Sequence, residues 1–223
     1  LVRTVVDGFP VLTVTPRRGS GIETVYLHGG AYTQPLHRVH WGVVRSLMRS
    51  TGATVTVPLY GLAPAYSVAD AYPLLESVLA DVRRRAEERA VVLAGDSAGG
   101  ALAAGLAIRM RDAGLPAPAG VVLISPWVDA TLVNPAVDAR LERLDPMLDR
   151  RRLESSRDLW ADGADPADPL ISPLHDSLEG LPPLLVLQGD RDLITPDVLR
   201  FARRARAAGT PIELRYVRGA VHV

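Results

Sequence analysis

From residue 53 onward the chain alternates short apolar runs with helical stretches, and this alternation restricts the fold more than any other feature. The runs are "ATVTV" (53–57), "VVLA" (91–94), "VVLI" (121–124), "LLVLQ" (184–188) and "IELRYV" (212–217). Helices are expected at about 38–50, 70–89, 98–113 and 196–208. Most of these runs are continuously apolar, which suits strands covered on both faces, and strands joined through helices run parallel. The expected fold class is therefore α/β, a mostly parallel central sheet with helices on both faces. Two earlier runs, "VLTVT" (11–15) and "TVYL" (24–27), are separated only by "PRRGSGIE". That short connection predicts a hairpin between them and an antiparallel N-terminal edge.

One stretch breaks the rhythm. Between "ISPWVD" (124–129) and "LEGLPPLLVL" (178–187) lie some fifty residues rich in Asp, Arg and Pro, with a single helix expected around 147–161. Such length is unusual for a plain loop inside a compact domain. It reads as a lid inserted at about 130–180, over the carboxyl edge of the sheet, within one domain spanning residues 1–223. Leu132, Met147, Leu148, Leu159 and Trp160 would shape either the substrate pocket or the lid's own core.

Composition removes several function classes. Acidic and basic residues are equal in number, 25 of each, so no electrostatic footprint for nucleic acid or an anionic membrane exists. No run is long enough for a membrane span. The chain has no cysteine, which excludes disulfides, thiolate metal sites and cysteine nucleophiles. All 25 basic residues are arginine, so Schiff-base chemistry on lysine is excluded as well. No signal-like segment is seen, which leads to the expectation of a cytoplasmic protein. Neither a metal nor an organic cofactor is expected, and the sequence leaves the oligomeric state open, a homodimer included.

The chemistry concentrates where "VVLA" meets an Ala-rich helical stretch through "GDSAGG" (95–100). G-x-S-x-G between a strand and a helix puts the serine on a sharp turn with its hydroxyl exposed, and the glycines leave room where strand and helix approach. Ser97 is the expected nucleophile. It needs a base, and the base needs an orienting acid. Of the five histidines, His222 follows the last strand-like run. Asp192 lies in "GDRDLITPD", the loop leaving the preceding strand, with Asp190 as the alternative acid. The order Ser97, Asp192, His222 is that of serine hydrolases built on an α/β sheet. "YLHGGAY" (26–32) offers backbone donors for an oxyanion: the amides of Gly29 and Gly30, completed by that of Ala98. His28 is expected to hold this loop by a hydrogen bond.

"HGGAY", "YGLAP" (60–64), "GDSAGG" and "ISPWVD" together resemble the hormone-sensitive-lipase-like (bacterial family IV) esterases of the α/β-hydrolase superfamily, and "DPADPLISPL" (165–174) extends the likeness. Ala31 stands where that family usually has a third glycine, and Gly61 and Ala65 depart from its "YRLAPE" stretch. The resemblance implies a cofactor-free serine hydrolase of short- to medium-chain carboxylic esters, with Ser97, Asp192 and His222 catalytic and Gly29, Gly30 and Ala98 forming the oxyanion hole. Tyr32, Asp96, Trp127 and Trp160 are expected around the substrate. It also implies a helical cap before Leu1 and a helix after Val223 that pins the His222 loop. Three other readings stay open: an amidase, formamidase or lactone hydrolase on the same scaffold; a ligand-binding relative without catalysis; and an interaction protein in which "GDSAGG" is only a turn.

Overall fold

The computed structural model describes residues 1–137 and 139–223. Its strands in chain order are β1 (Val2–Val6), β2 (Phe9–Val14), β3 (Glu23–Leu27), β4 (Thr54–Pro58), β5 (Val91–Asp96), β6 (Gly120–Ile124), β7 (Leu184–Gly189) and β8 (Ile212–Val217). They form one sheet in the spatial order β1-β2-β4-β3-β5-β6-β7-β8. From β4 onward across the sheet every pairing is parallel, whereas β2 pairs antiparallel with both β1 and β4.

The expected α/β class and the antiparallel N-terminal edge are both observed. The expected hairpin partner is not. β4 lies between β2 and β3, so the "PRRGSGIE" connection reverses the chain but steps over one strand position. All five residues of β3 are buried, and such a strand belongs inside the sheet rather than beside an edge hairpin. The hairpin is instead β1–β2, closed by Asp7 and Gly8 at φ 49° and 84°. An Asp-Gly pair suits the positive φ values that a two-residue turn requires.

The strand period of two sorts the central residues between two apolar cores. Val25, Leu27, Leu93, Leu123 and Val186 join α2 (Val68–Ala86), α3 (Ser97–Asp112) and α6 (Thr195–Ala207) on one face. Tyr26, Val55, Val57 and Ala94 point the other way and pack with Val44 of α1 (Arg38–Thr51). α3 is the central helix, with every residue from Ser97 to Ile108 buried. It can lie so deep because its side chains are small. A Cβ on Gly99 would run into the carbonyl oxygens of Leu27 and His28, and one on Gly95 into the backbone of Gly99. Helix and strands therefore meet at backbone contact.

Between β6 and β7 the chain carries α4 (Ala139–Leu144), α5 (Arg150–Ala161) and one 3-10 turn at Pro173–His175. The helix expected from residue 147 begins at Arg150. Asp145 accepts the N–H groups of Met147 and Leu148 at 2.9 and 3.3 Å, which holds a turn there. Asp149 then caps α5 by accepting the Arg152 N–H at 2.9 Å. α4 is not anticipated by the sequence pattern; it is six residues long, fully buries none of them, and packs a half-buried Leu141 against the core. Among the described residues no helix is long and apolar enough to cross a membrane.

The backbone contact at Gly99 makes a testable demand. Gly99→Ala should cost about 3 kcal/mol or more, because two strand carbonyls must move to admit a methyl group. Ala103→Gly in the same helix should cost only ~1 kcal/mol, the ordinary propensity loss. Urea unfolding midpoints measure both, and a Gly99→Ala variant as stable as wild type would show that α3 is free to shift.

Candidate active site

β5 ends at Asp96 and α3 starts at Ser97 with no intervening loop, so the chain must turn within one residue. Ser97 takes the strain, with φ at 50°. A non-glycine residue there costs on the order of 1–3 kcal/mol and persists only where surrounding packing enforces it. The turn presents the Ser97 hydroxyl to His222, whose Nε2 lies 2.8 Å from Oγ. On the other side of the ring, His222 Nδ1 lies 3.0 Å from Asp192 Oδ2. A carboxylate facing Nδ1 keeps the proton on that nitrogen, which leaves the Nε2 lone pair for the serine proton. All three side chains are buried.

Asp192 is tuned to stay ionised. Burial alone would raise its pKa. The hydrogen bond and positive charge of His222 oppose burial, together with donors from the Ile194 N–H and the Ser125 hydroxyl, and the net effect holds it below the usual aspartate range. Asp190, the alternative acid, serves elsewhere, since its Oδ1 accepts the Gly219 N–H at 2.6 Å. Arg191 N–H also donates to Ala220 O at 3.0 Å, so the acid loop itself holds the His222 loop. These two bonds join residues about thirty apart and leave no local sequence signal.

Asp145 is a second residue that the sequence pattern does not single out. This buried carboxylate accepts the Leu193 N–H at 2.9 Å, tying the segment before α5 to the loop that carries Asp192. Atoms of Asp145, Asp192 and His222 come within 4.8 Å of one another, a spacing a metal could use. Each of these groups is already engaged in hydrogen bonds, so the cluster reads as a network that orients Asp192 and His222. A single Asp in "LDPML" gives no hint of this from sequence, because its partners lie far along the chain.

The loop expected to supply the oxyanion donors follows β3. His28 Nδ1 lies 2.7 Å from Gly29 O, its ring stacks on Tyr60 at 4.5 Å, and the Tyr60 hydroxyl donates to His28 O at 2.7 Å. His28 therefore holds the loop as expected. Gly29 departs from expectation. Its N–H donates to Asp96 Oδ1 at 3.0 Å and is not available to a substrate. The next two residues turn into left-handed backbone, Gly30 at φ 113° and Ala31 at φ 49°. Among the described residues the N–H groups of Gly30 and Ala31 have no partner, and both residues line the same cavity as Ser97 and His222. Ala98 sits in the first turn of α3, where N–H groups lack intrahelical acceptors. The available donors are thus Gly30, Ala31 and Ala98, one residue further along the loop than the motif alone suggests.

The cavity has a volume of about 800 Å³. Met147 and Leu148 line it, but so do Arg151, Arg152, Ser155 and Ser156 of α5, so that wall is more polar than an apolar lid would give. Asp96 also lines it, with Oδ1 accepting from the Tyr26 hydroxyl and the Gly29 N–H. Tyr32, Trp127 and Trp160, expected around the substrate, do not line it. Tyr32 stacks on Trp160 at 4.4 Å and on Trp127 at 5.7 Å, and burying these large faces against one another leaves none for the cavity. Leu132 is buried and Leu159 exposed, both away from the cavity lining.

Residues 24–223 match the family described as alpha/beta hydrolase fold. The chain belongs to this family. It is 36% identical over 203 residues to an acetyl-hydrolase of Streptomyces hygroscopicus, covering 89% of this chain and 67% of that protein. Among solved structures it resembles a hormone-sensitive lipase from a metagenome library, with a TM-score of 0.94 and 31% identity over 100% of this chain and 75% of that one. An esterase from the bacterial hormone-sensitive lipase family gives a TM-score of 0.92 at 30% identity, with the same coverage of both chains. The chain thus spans two thirds to three quarters of the length of these relatives, and its likeness to hormone-sensitive-lipase-type hydrolases is that of both sequence and fold.

His28 generates a prediction about stability. Burial lowers its pKa to about 4, so the folded protein keeps it neutral while the unfolded chain protonates it near 6.5. Between those values the unfolded state binds more protons, so stability falls as pH drops from about 6.5 toward 4, by roughly 3 kcal/mol in total from this group. His28→Asn places an amide donor where Nδ1 stands and cannot titrate. Its urea midpoint should change less over that pH window than the wild-type midpoint does, and parallel losses in the two proteins would assign the effect elsewhere.

Proposed function

We propose that this chain is the catalytic body of a serine carboxylic-ester hydrolase acting on short- to medium-chain esters. The observation that carries this reading is the hydrogen-bonded line from Ser97 through His222 to Asp192, set beside three N–H donors that face no acceptor among the described residues. His222 Nε2 takes the Ser97 proton as Oγ attacks the ester carbonyl carbon. The carbonyl oxygen gains the charge and is received by the N–H groups of Gly30, Ala31 and Ala98. His222 then gives its proton to the departing alcohol oxygen, leaving Ser97 acylated. Water repeats the sequence, with His222 again as base, and releases the acid. Asp192 stays ionised throughout and stabilises the imidazolium. The segment at about 130–180 serves as the lid over this site.

The names of the relatives support the substrate class. One is an acetyl-hydrolase and the solved neighbours are a lipase and an esterase. Amides or lactones would follow the same steps, and a substrate panel separates them from esters.

Under this reading a fluorophosphonate should label Ser97, and aryl acetates and butyrates should turn over faster than the matched amides or lactones. Ser97→Ala should lower kcat by ~10⁵ or more, since only binding and the oxyanion donors would remain. Asp192→Asn should cost about 10⁴ through loss of the correct histidine tautomer. Asp190→Asn keeps an acceptor for the Gly219 N–H and should cost less than roughly tenfold, the scale of a small shift in loop position. Labelling at another residue, or equal losses for the two aspartates, would reject the assignment.

A further inference from the structure

We infer that Asp96 is a positioning residue for the oxyanion hole: its carboxylate holds the Gly29 N–H so that the next two N–H groups face the substrate. This rests on the hydrolase reading above and adds a role for the residue directly before the nucleophile.

Asp96 is buried, and its two oxygens face polar groups from elements distant in sequence. Oδ1 accepts from the Tyr26 hydroxyl on β3 and from the Gly29 N–H at 3.0 Å. Oδ2 lies 3.6 Å from His40 Nε2 on α1. His40 Nδ1 accepts the His37 N–H at 2.8 Å, which requires a bare nitrogen there and so places the proton of the neutral ring on Nε2, facing Asp96. Burial and the neighbouring carboxylate both push the Tyr26 phenol above its ordinary pKa, so it remains a donor. One carboxylate thus binds two donors, from β3 and the oxyanion loop, and faces a third polar group, on α1, across 3.6 Å.

The Gly29 bond has a geometric consequence. A peptide unit is planar, so fixing the N–H of Gly29 on Asp96 limits where the following peptide units can point. The left-handed turn at Gly30 and Ala31 then directs their N–H groups away from the bond already made. Loop and nucleophile are in direct contact here, since a Cβ on Gly29 would meet the Asp96 carboxylate and approach Ser97 Cβ to 3.0 Å. The side chain that bonds the loop and the hydroxyl that attacks are carried by consecutive residues. Movement of one relative to the other is therefore restricted to a single peptide link. Without the bond, the loop can slide relative to Ser97, and a displacement of about an ångström costs ~10² in rate.

The test separates a lost oxyanion geometry from a damaged fold. Asp96→Ala should lower kcat for an aryl acetate by ~10², with KM changed by less than about threefold, because the missing alignment matters only in the transition state. Affinity for an alkyl trifluoromethyl ketone, which forms an oxyanion on Ser97, should fall by a similar factor. Asp96→Asn retains an acceptor oxygen for the Gly29 N–H and should recover most of both losses. Asp96→Ser, which is too short to reach Gly29, stands in for the alanine variant should that one fail to fold. In the wild-type protein the Gly29 amide should resist hydrogen exchange. The inference is overturned by free exchange of that amide, by a folded Ala or Ser variant with wild-type kcat, by loss of kcat without loss of ketone affinity, or by an Asn variant as impaired as Ala. Failure of fluorophosphonate to label Ser97 in the wild type would instead overturn the hydrolase reading itself.

Discussion

The close approach of α3 to β3 and β5 is the contact on which the site depends. Because Gly95 and Gly99 carry no side chain, the helix can begin directly at the strand end and lie against the carbonyls of Leu27 and His28. That placement does three things at once. It forces Ser97 into left-handed backbone, it brings the first turn of α3 against the oxyanion loop, and it sets that loop within bonding distance of Asp96. A side chain at Gly99 would separate helix and sheet, and all three arrangements would be lost together.

The precision of the remaining groups comes from loops bound to other loops. The His222 loop is fastened to the acid loop by Asp190 and by the Arg191 N–H. The acid loop is fastened in turn to the segment before α5, where Asp145 receives the Leu193 N–H. His28 and Tyr60 hold the oxyanion loop from behind. Catalytic geometry within about half an ångström is more than a single loop can hold by itself, and cross-loop hydrogen bonds supply the missing constraint.

How much of this is readable from residues alone follows from the range of the forces involved. The parallel sheet and its helices are legible because burial leaves a local pattern, and six of the seven expected runs overlap central or parallel strands. β1 escapes because "VRTVV" is a mostly exposed edge strand. The misplaced hairpin partner and the shifted oxyanion donors share one cause. β4 enters between β2 and β3 from a later part of the chain, and Asp96 claims the Gly29 amide across 67 residues. Local spacing carries no trace of either event. Ser97, Asp192 and His222, which the structure brings within hydrogen-bond distance, leave a sequence signal in their order and strand-end positions, whereas Tyr32, Trp127 and Trp160 cannot be sorted between substrate and core without knowing which faces meet.

The left-handed backbone of Ser97 sets usefulness against durability. The position that carries the proposed chemistry is one where glycine would rest more comfortably, since glycine adopts a positive φ at little cost. A chain selected only for persistence would drift toward glycine there and lose its hydroxyl. Alanine at the same position removes the hydroxyl but keeps the backbone tension, so an inactive alanine protein still stores what the active one stores. Retention of serine on such a corner means that the fold around it is held in reserve, strong enough to keep one residue permanently in a posture it would not choose.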